Sequence, residues 1–253
     1  MPKRRDVRRF GPGPYLLGLR GAGPGDEFPF SVPAVADVAR LRLDAPVTLL
    51  AGDNGSGKST LIEALAAAIG FDPEGGELER LGELPAVPRL DGPLAPILGE
   101  NKPRTGYFLR AESFFNIAAF IDAKGKFSPD LSLYGDVPLH RQSHGESFLA
   151  LATNRFGGES LYILDEPEAA LSVSGALAVL AAIDRAARAG AQFIIATHSP
   201  VLLSCPGARI YELDEGGVSE RGYDDLEAVR FTRPFLEAPD RFLRAALDEL
   251  SKD

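Results

Sequence analysis

The segment Gly52-Asp53-Asn54-Gly55-Ser56-Gly57-Lys58-Ser59 has the composition and spacing of a phosphate cradle, G-x-x-x-x-G-K-[ST]. The glycines let successive backbone N–H groups curl around phosphate oxygens. A helix opening directly behind them adds its positive N-terminal end. Lys58 can then reach β- and γ-phosphates, and Ser59 can ligate Mg²⁺. A chance glycine turn would give the same letters. The context separates the two: a β-rich run, Val47 to Ala51, precedes the loop, and Leu61, Ile62, Leu65 and Ile69 follow at helical spacing up to Gly70.

Three further segments carry chemistry. Leu161-Tyr162-Ile163-Leu164 is an apolar strand that delivers Asp165 and Glu166 to its C-terminal end, where ligands bind in open α/β sheets. Asp165 would hold the Mg²⁺ shell and Glu166 would polarise an attacking water. Ser143 and Glu146 form a capping-box pattern, so an ordinary helix start is expected there whether or not it faces a phosphate. Phe193-Ile194-Ile195-Ala196 ends in Thr197 and His198. That histidine is either a satisfied edge residue or a sensor donating to a phosphate oxygen.

These motifs need a frame. Uniformly apolar strands at 161–164 and 193–196, separated by a helix carrying Leu177, Leu180 and Ile183, predict a parallel sheet covered on both faces. Tyr15 to Arg20 and Tyr107 to Leu109 read as strands, and 71–105 as a loop-rich insertion. Ile210 to Leu213 with the Asp214–Gly217 turn reads as a hairpin. Phe242, Leu243, Ala246, Leu247 and Leu250 outline an amphipathic helix. Residues 1–14, basic and rich in Gly and Pro, read as a flexible tail: a solvated arm or, as the lesser reading, a phosphate-backbone contact.

Composition narrows the function classes. The 253 residues include 45% hydrophobic and 25% charged side chains, which is ordinary for a globular domain. No apolar run approaches the ~18 residues of a membrane span. The run behind the basic start is too short for a signal peptide. The one cysteine, Cys205, excludes an internal disulfide, and with three histidines leaves little for a zinc site. A cytoplasmic setting without membrane insertion is expected. The net charge of −9 argues against a uniformly basic nucleic-acid surface.

Taken in order, the four segments resemble the ABC-type ATPases, a branch of the P-loop NTPases, and within it the SMC/RecF-like group and its small stand-alone bacterial ATPases. The supporting segments are Tyr107–Asn116, Gln142–Phe148, Asp165–Ser172 and Ile195–Pro200, and the likeness spans about Tyr15 to Leu247. The resemblance implies an α/β P-loop ATPase head: a mostly parallel core sheet, N-terminal antiparallel strands, and a small lobe inserted at about 71–142 within one domain, 15–253. It implies Walker A contacts to ATP from Gly52, Asn54, Gly55, Ser56, Gly57, Lys58, Ser59 and Thr60, with Lys58 also catalytic. Ser143 and Gly145 stand in the ABC signature, acting on ATP held by a partner copy in an ATP-dependent homodimer. Asp165 and Glu166 become the Walker B pair, with Ser59 and Asp165 on Mg²⁺. Ala169 to Ser172 becomes the D-loop and His198 the switch histidine. Glu112 takes the Q-loop place, where it either reaches the metal or its water, or serves as a salt-bridge acid.

Three departures from the family pattern stand out. His144 replaces a bare glycine in the signature, Ser172 replaces the D-loop aspartate, and Glu112 replaces a glutamine. Two of them, His144 and Ser172, motivate an alternative: an ATP-switched module with slow turnover acting on DNA or a protein partner. A transporter ATPase subunit is a third reading. Asn101-Lys102-Pro103-Arg104 lacks the aspartate of a guanine motif, so ATP is the expected nucleotide. Tyr15, Arg20 and Phe30 are candidates for stacking on its base. Lys58 and Ser143 lie 85 residues apart, enough for a compact lobe and too few for long coiled-coil arms.

Overall fold

Apolar runs become strands of one sheet, and the segments between them become the helices that cover it. The computed structural model describes residues 9–21, 25–72, 75–77, 94–110 and 144–250. In chain order the elements begin with β1 (Arg9–Phe10), β2 (Leu16–Gly21), α1 (Pro33–Ala36), β3 (Val47–Ala51) and α2 (Lys58–Ile69). Next come β4 (Gly76–Glu77), β5 (Leu94–Leu98), β6 (Asn101–Lys102), β7 (Thr105–Arg110), α3 (His144–Arg155) and β8 (Ser160–Asp165). The chain continues through α4 (Val173–Arg188), β9 (Gln192–Ala196), α5 (Pro200–Leu203), β10 (Arg209–Asp214), β11 (Gly217–Arg221), α6 (Glu227–Glu237) and α7 (Pro239–Leu250).

The main sheet has the order β11-β10-β3-β9-β8-β7-β4. Its five central strands are parallel, and β11 and β4 join the edges antiparallel. Because β9 lies between β3 and β8, the loops after these three strands emerge side by side at one sheet edge. The alternation of side chains divides the core in two. Leu49, Leu164, Phe193 and Ile195 face α3 and α4. Leu50, Ile163, Ile194 and Ala196 face α2, α1 and β2. In the first layer Tyr162 stacks on Phe193 and Phe156 packs at an angle to both, with ring centroids 4.7–5.3 Å apart. This is the α/β fold expected, with antiparallel β2 and β5 beside it.

A buried amide ties that antiparallel pair to the sheet. Gln192 accepts from the N–H groups of Tyr15 and Leu16 at 2.8 and 2.9 Å. Its Nε2 donates to the carbonyls of Leu16 and Leu43 at 2.7 and 2.5 Å. One side chain thus satisfies four backbone groups where no strand runs alongside.

Several expectations change. From Arg9 on, the tail predicted over 1–14 is part of the fold: Arg9 and Phe10 pair in parallel with β6, and the Gly13 N–H donates to Gly190 O at 2.9 Å; residues 1–8 lie outside the described residues. Much of 71–142 lies outside the described residues. Of what is described there, β4 and β7 are strands of the main sheet and β5 pairs with β2, so the stretch is not all loop or lobe. Leu177 is exposed, because the buried stripe of α4 runs through Ala176, Val179, Leu180 and Ile183. Leu243 and Leu247 are also exposed, while α7 leans on α6 through Phe242 against Phe231 and Phe235.

Replacing Gln192 with Leu keeps the volume and strands four polar groups. Urea unfolding should show a loss of about 2–4 kcal/mol. A loss under about 1 kcal/mol would mean the amide is not the tie between the two layers.

Candidate functional site

The loop between β3 and α2 is shaped by its glycines. Gly52, Gly55 and Gly57 have φ of 146°, 86° and 91°. A Cβ on Gly52 would lie 2.4 Å from Leu213 O, and one on Gly57 would lie 2.7 Å from Val32 Cγ1. Only glycine allows both the conformation and the close approach. The outer rim, Asp53, Asn54 and Gly55, is exposed. Lys58 is buried, and its Nζ donates to the carbonyls of Gly52 and Asp53, each at 2.8 Å. Ser59 Oγ donates to Asp165 Oδ1 at 3.3 Å. Ser56 Oγ is buried with no hydrogen-bond partner among the described residues. Thr60 stands in the first turn of α2.

Asp165 ends β8 with its side chain buried. Burial pushes its carboxyl up to about 6, against the opposing pull of Arg110 and the Ser59 hydroxyl. Arg110, register partner of Asp165 at the end of β7, places Nε 3.9 Å from Asp165 Oδ2 and Nη2 2.8 Å from Glu63 Oε1. Glu166 has a φ of 48°, and its N–H donates to Ala196 O at 2.9 Å. A left-handed glutamate is uncommon and collects at functional sites. The His198 ring, half exposed, brings Nδ1 to 3.5 Å from Glu166 Oε1.

Lys58, Ser59, Asp165, Glu166 and His198 are thus gathered along one sheet edge. Gly145 lies apart from them, in the first turn of α3, where a Cβ would stand 2.6 Å from Ala170 O. The start of α3 therefore rests on the segment that follows β8 in the same chain. Ser172 does not stand open at that loop's end: it caps α4, accepting from Gly175 N at 3.1 Å. Ser143 and Glu112 lie outside the described residues, as does the side chain of His144.

Of the base-stacking candidates, Tyr15 is ruled out. It is buried at the opposite edge, its hydroxyl 2.9 Å from Gly190 O. Arg20 is exposed on β2. Phe30 precedes α1, whose Ala34 faces Gly57. Cys205 is buried and its thiol is pushed up to about 11 by that burial, which suits a core residue.

Two residues of this edge escaped sequence reasoning. Arg110 had only its place at a strand end as a signal. Glu168, treated below, had its place three residues beyond Asp165 in an acidic run, with no spacing rule to mark it.

The donor set suits a hydrated Mg²⁺ with a phosphate. The Ser59 hydroxyl and the Asp165 carboxylate stand 3.3 Å apart, near the spacing of about 3 Å between neighbouring ligand oxygens of an octahedral Mg²⁺, which leaves positions for water and phosphate oxygens. The loop offers a buried lysine and an orphan hydroxyl beside them.

Comparison with known proteins agrees. The family described as "AAA domain" matches residues 33–85, and that described as "AAA domain, putative AbiEii toxin, Type IV TA system" matches 131–204. The cytochrome c biogenesis ATP-binding export protein CcmA of Gluconobacter oxydans is 32% identical over 184 residues, 71% of this chain and 80% of that protein. CcmA of Novosphingobium aromaticivorans is 31% identical over 157 residues, 61% of this chain and 75% of that protein. The structure of cbiO1 from Clostridium perfringens, part of the ABC transporter complex cbiONQ, superposes with a TM-score of 0.50 at 18% identity. It covers 90% of this chain and 97% of cbiO1. The chain belongs to the ABC-type P-loop ATPases.

The buried Asp165 makes a pH-dependent prediction for the protein without nucleotide or metal. Its carboxyl binds a proton more tightly in the folded state than in the unfolded chain. It therefore adds stability that is fully present below about pH 4 and lost as pH rises through about 6. Asp165→Asn should be more stable than wild type by about 1–3 kcal/mol near neutral pH, the gap closing toward about pH 4. Urea titrations in chelator check it. A gap that does not change with pH contradicts it.

Proposed function

We propose that the protein hydrolyses ATP with Mg²⁺ and closes as a two-fold homodimer around two nucleotides. The observation that carries the reading is the Ser59–Asp165 contact at 3.3 Å with Glu166 and His198 beside it. The backbone N–H groups from Gly52 to Thr60 would bind the phosphates, and Lys58 would exchange its backbone carbonyl partners for phosphate oxygens. Ser59 and Asp165 would hold Mg²⁺, which when bound neutralises charge developing on the phosphoryl group. Glu166 would accept a proton from the attacking water, and His198 would donate to the terminal phosphate.

Two features support the dimer. The Gly145 end of α3 sits against the loop that holds Ala170, and no contact among the described residues ties it to Lys58 of its own chain. Beside it, Val173 and Leu177 on α4 are 75% and 59% exposed. A self-complementary patch of that kind suits an isologous interface. The SMC/RecF-like placement, the cytoplasmic setting and the single domain with an inserted lobe are part of the same reading.

The transporter reading gains a specific observation: the matched relatives are named as ATP-binding export proteins. Among the described residues no helix is long and apolar enough to cross a membrane. A transport role would place this domain against membrane-spanning protein, recoverable by copurification from detergent extracts.

Titration calorimetry should show Mg-ATP binding to wild type and a loss of about a hundredfold or more in Lys58→Ala. Unchanged affinity would refute the phosphate-loop assignment. Light scattering of Glu166→Gln at saturating Mg-ATP should give a dimer. A monomer at micromolar protein would refute ATP-driven closure.

A further inference from the structure

Glu168 belongs to neither the phosphate loop nor the Walker B pair, yet it is only 9% exposed. Three donors meet on one of its oxygens. Oε1 accepts from Thr197 Oγ1 at 2.5 Å, from the His198 N–H at 2.9 Å and from the Ser199 N–H at 3.1 Å. The other oxygen, Oε2, is buried without a hydrogen-bond partner among the described residues. A carboxylate is costly to bury, and an apolar side chain would fill this space without that penalty. The convergence of donors on Oε1 offsets part of the cost and constrains the backbone of the three residues that supply them.

Those residues are the loop that carries the switch histidine. Thr197 is fully buried, and its N–H donates to Leu50 O at 3.0 Å at the end of β3. The loop is thus held from two sides, by β3 through the Thr197 N–H and by Glu168 through the next two N–H groups and the Thr197 hydroxyl. His198 Nδ1 stands 3.5 Å from Glu168 Oε1 and equally far from Glu166 Oε1. The ring therefore stands between the carboxylate assigned to the water and the one that grips its own backbone.

We propose that Glu168 is a positioning residue for His198: it gathers the Thr197 hydroxyl and two successive backbone N–H groups so that the imidazole stands beside Glu166. Glu168 touches no reacting atom and acts through the histidine. Its kinetic consequence rests on the ATPase reading above. Its grip on the loop rests on geometry alone.

Glu168→Ala and Glu168→Gln, made in the full chain, separate the two. Glutamine keeps an acceptor oxygen at the place of Oε1; alanine does not. Glu168→Ala should lower kcat for Mg-ATP by about 10–100-fold with KM changed less than about threefold, and Glu168→Gln should recover kcat to within about fivefold of wild type. Backbone hydrogen exchange at His198 and Ser199, read by NMR without nucleotide, should speed about tenfold or more in Glu168→Ala and much less in Glu168→Gln. Unchanged exchange in the alanine variant overturns the proposal, as does an unchanged kcat in an active enzyme. Equal losses of kcat and melting temperature in both variants also overturn it, reducing Glu168 to a structural acid. Absence of turnover in wild type would refute the ATPase reading instead, and the exchange result would still decide whether Glu168 holds the loop.

Discussion

The placement of β9 between β3 and β8 is the constraint from which the rest follows. Parallel strands release their chains in the same direction, so the residues after three neighbouring strands emerge within hydrogen-bonding reach. The backbone then stitches them together: Thr197 N–H to Leu50 O, and Glu166 N–H to Ala196 O. Side chains add Ser59 to Asp165 across the same edge. If the strand order were different, the phosphate loop, the two acids and the histidine would remain in the sequence but would not meet.

The edge is also where the protein accepts unfavourable terms. Burial pushes the Asp165 carboxyl up to about 6, Glu166 adopts a left-handed backbone, and Glu168 keeps one buried oxygen without a hydrogen-bond partner among the described residues. These costs are balanced by apolar layers on both faces of the sheet, from Leu49 to Phe193 on one side and Leu50 to Ile194 on the other. Concentrated strain beside a well-packed core is the usual distribution when a site must be ready before its ligand arrives.

Much of this was legible in the sequence, for identifiable reasons. Glycine spacing followed by Lys58 and Ser59 has few physical explanations other than a phosphate cradle. The runs at 161–164 and 193–196 are apolar at every position because both faces are covered. Legibility ended where the contact is long-range and the residue type unspecific. Nothing local shows that Glu168 folds back onto 197–199, or that Gln192 serves as a surrogate strand for β2. The family likeness puts Gly145 at a ligand position on an ordinary helix start, and the structure adds a packing reason, the nearness of Ala170 O. Helical periodicity identified α4 and α7 but overstated burial at Leu177, Leu243 and Leu247. Period alone does not say how wide the buried stripe is.

On the proposed reading, the edge formed by β3, β8 and β9 is an ATP site completed by the first turn of α3 from a second copy. A crystal structure of Glu166→Gln grown with Mg-ATP tests it most directly. The account predicts nucleotide phosphates in the loop from Gly52 to Ser59, Mg²⁺ on Ser59 and Asp165, His198 at the terminal phosphate, and Gly145 of a two-fold-related copy facing that phosphate. Nucleotide bound away from this loop, or bound there with no second copy over it, would contradict the account.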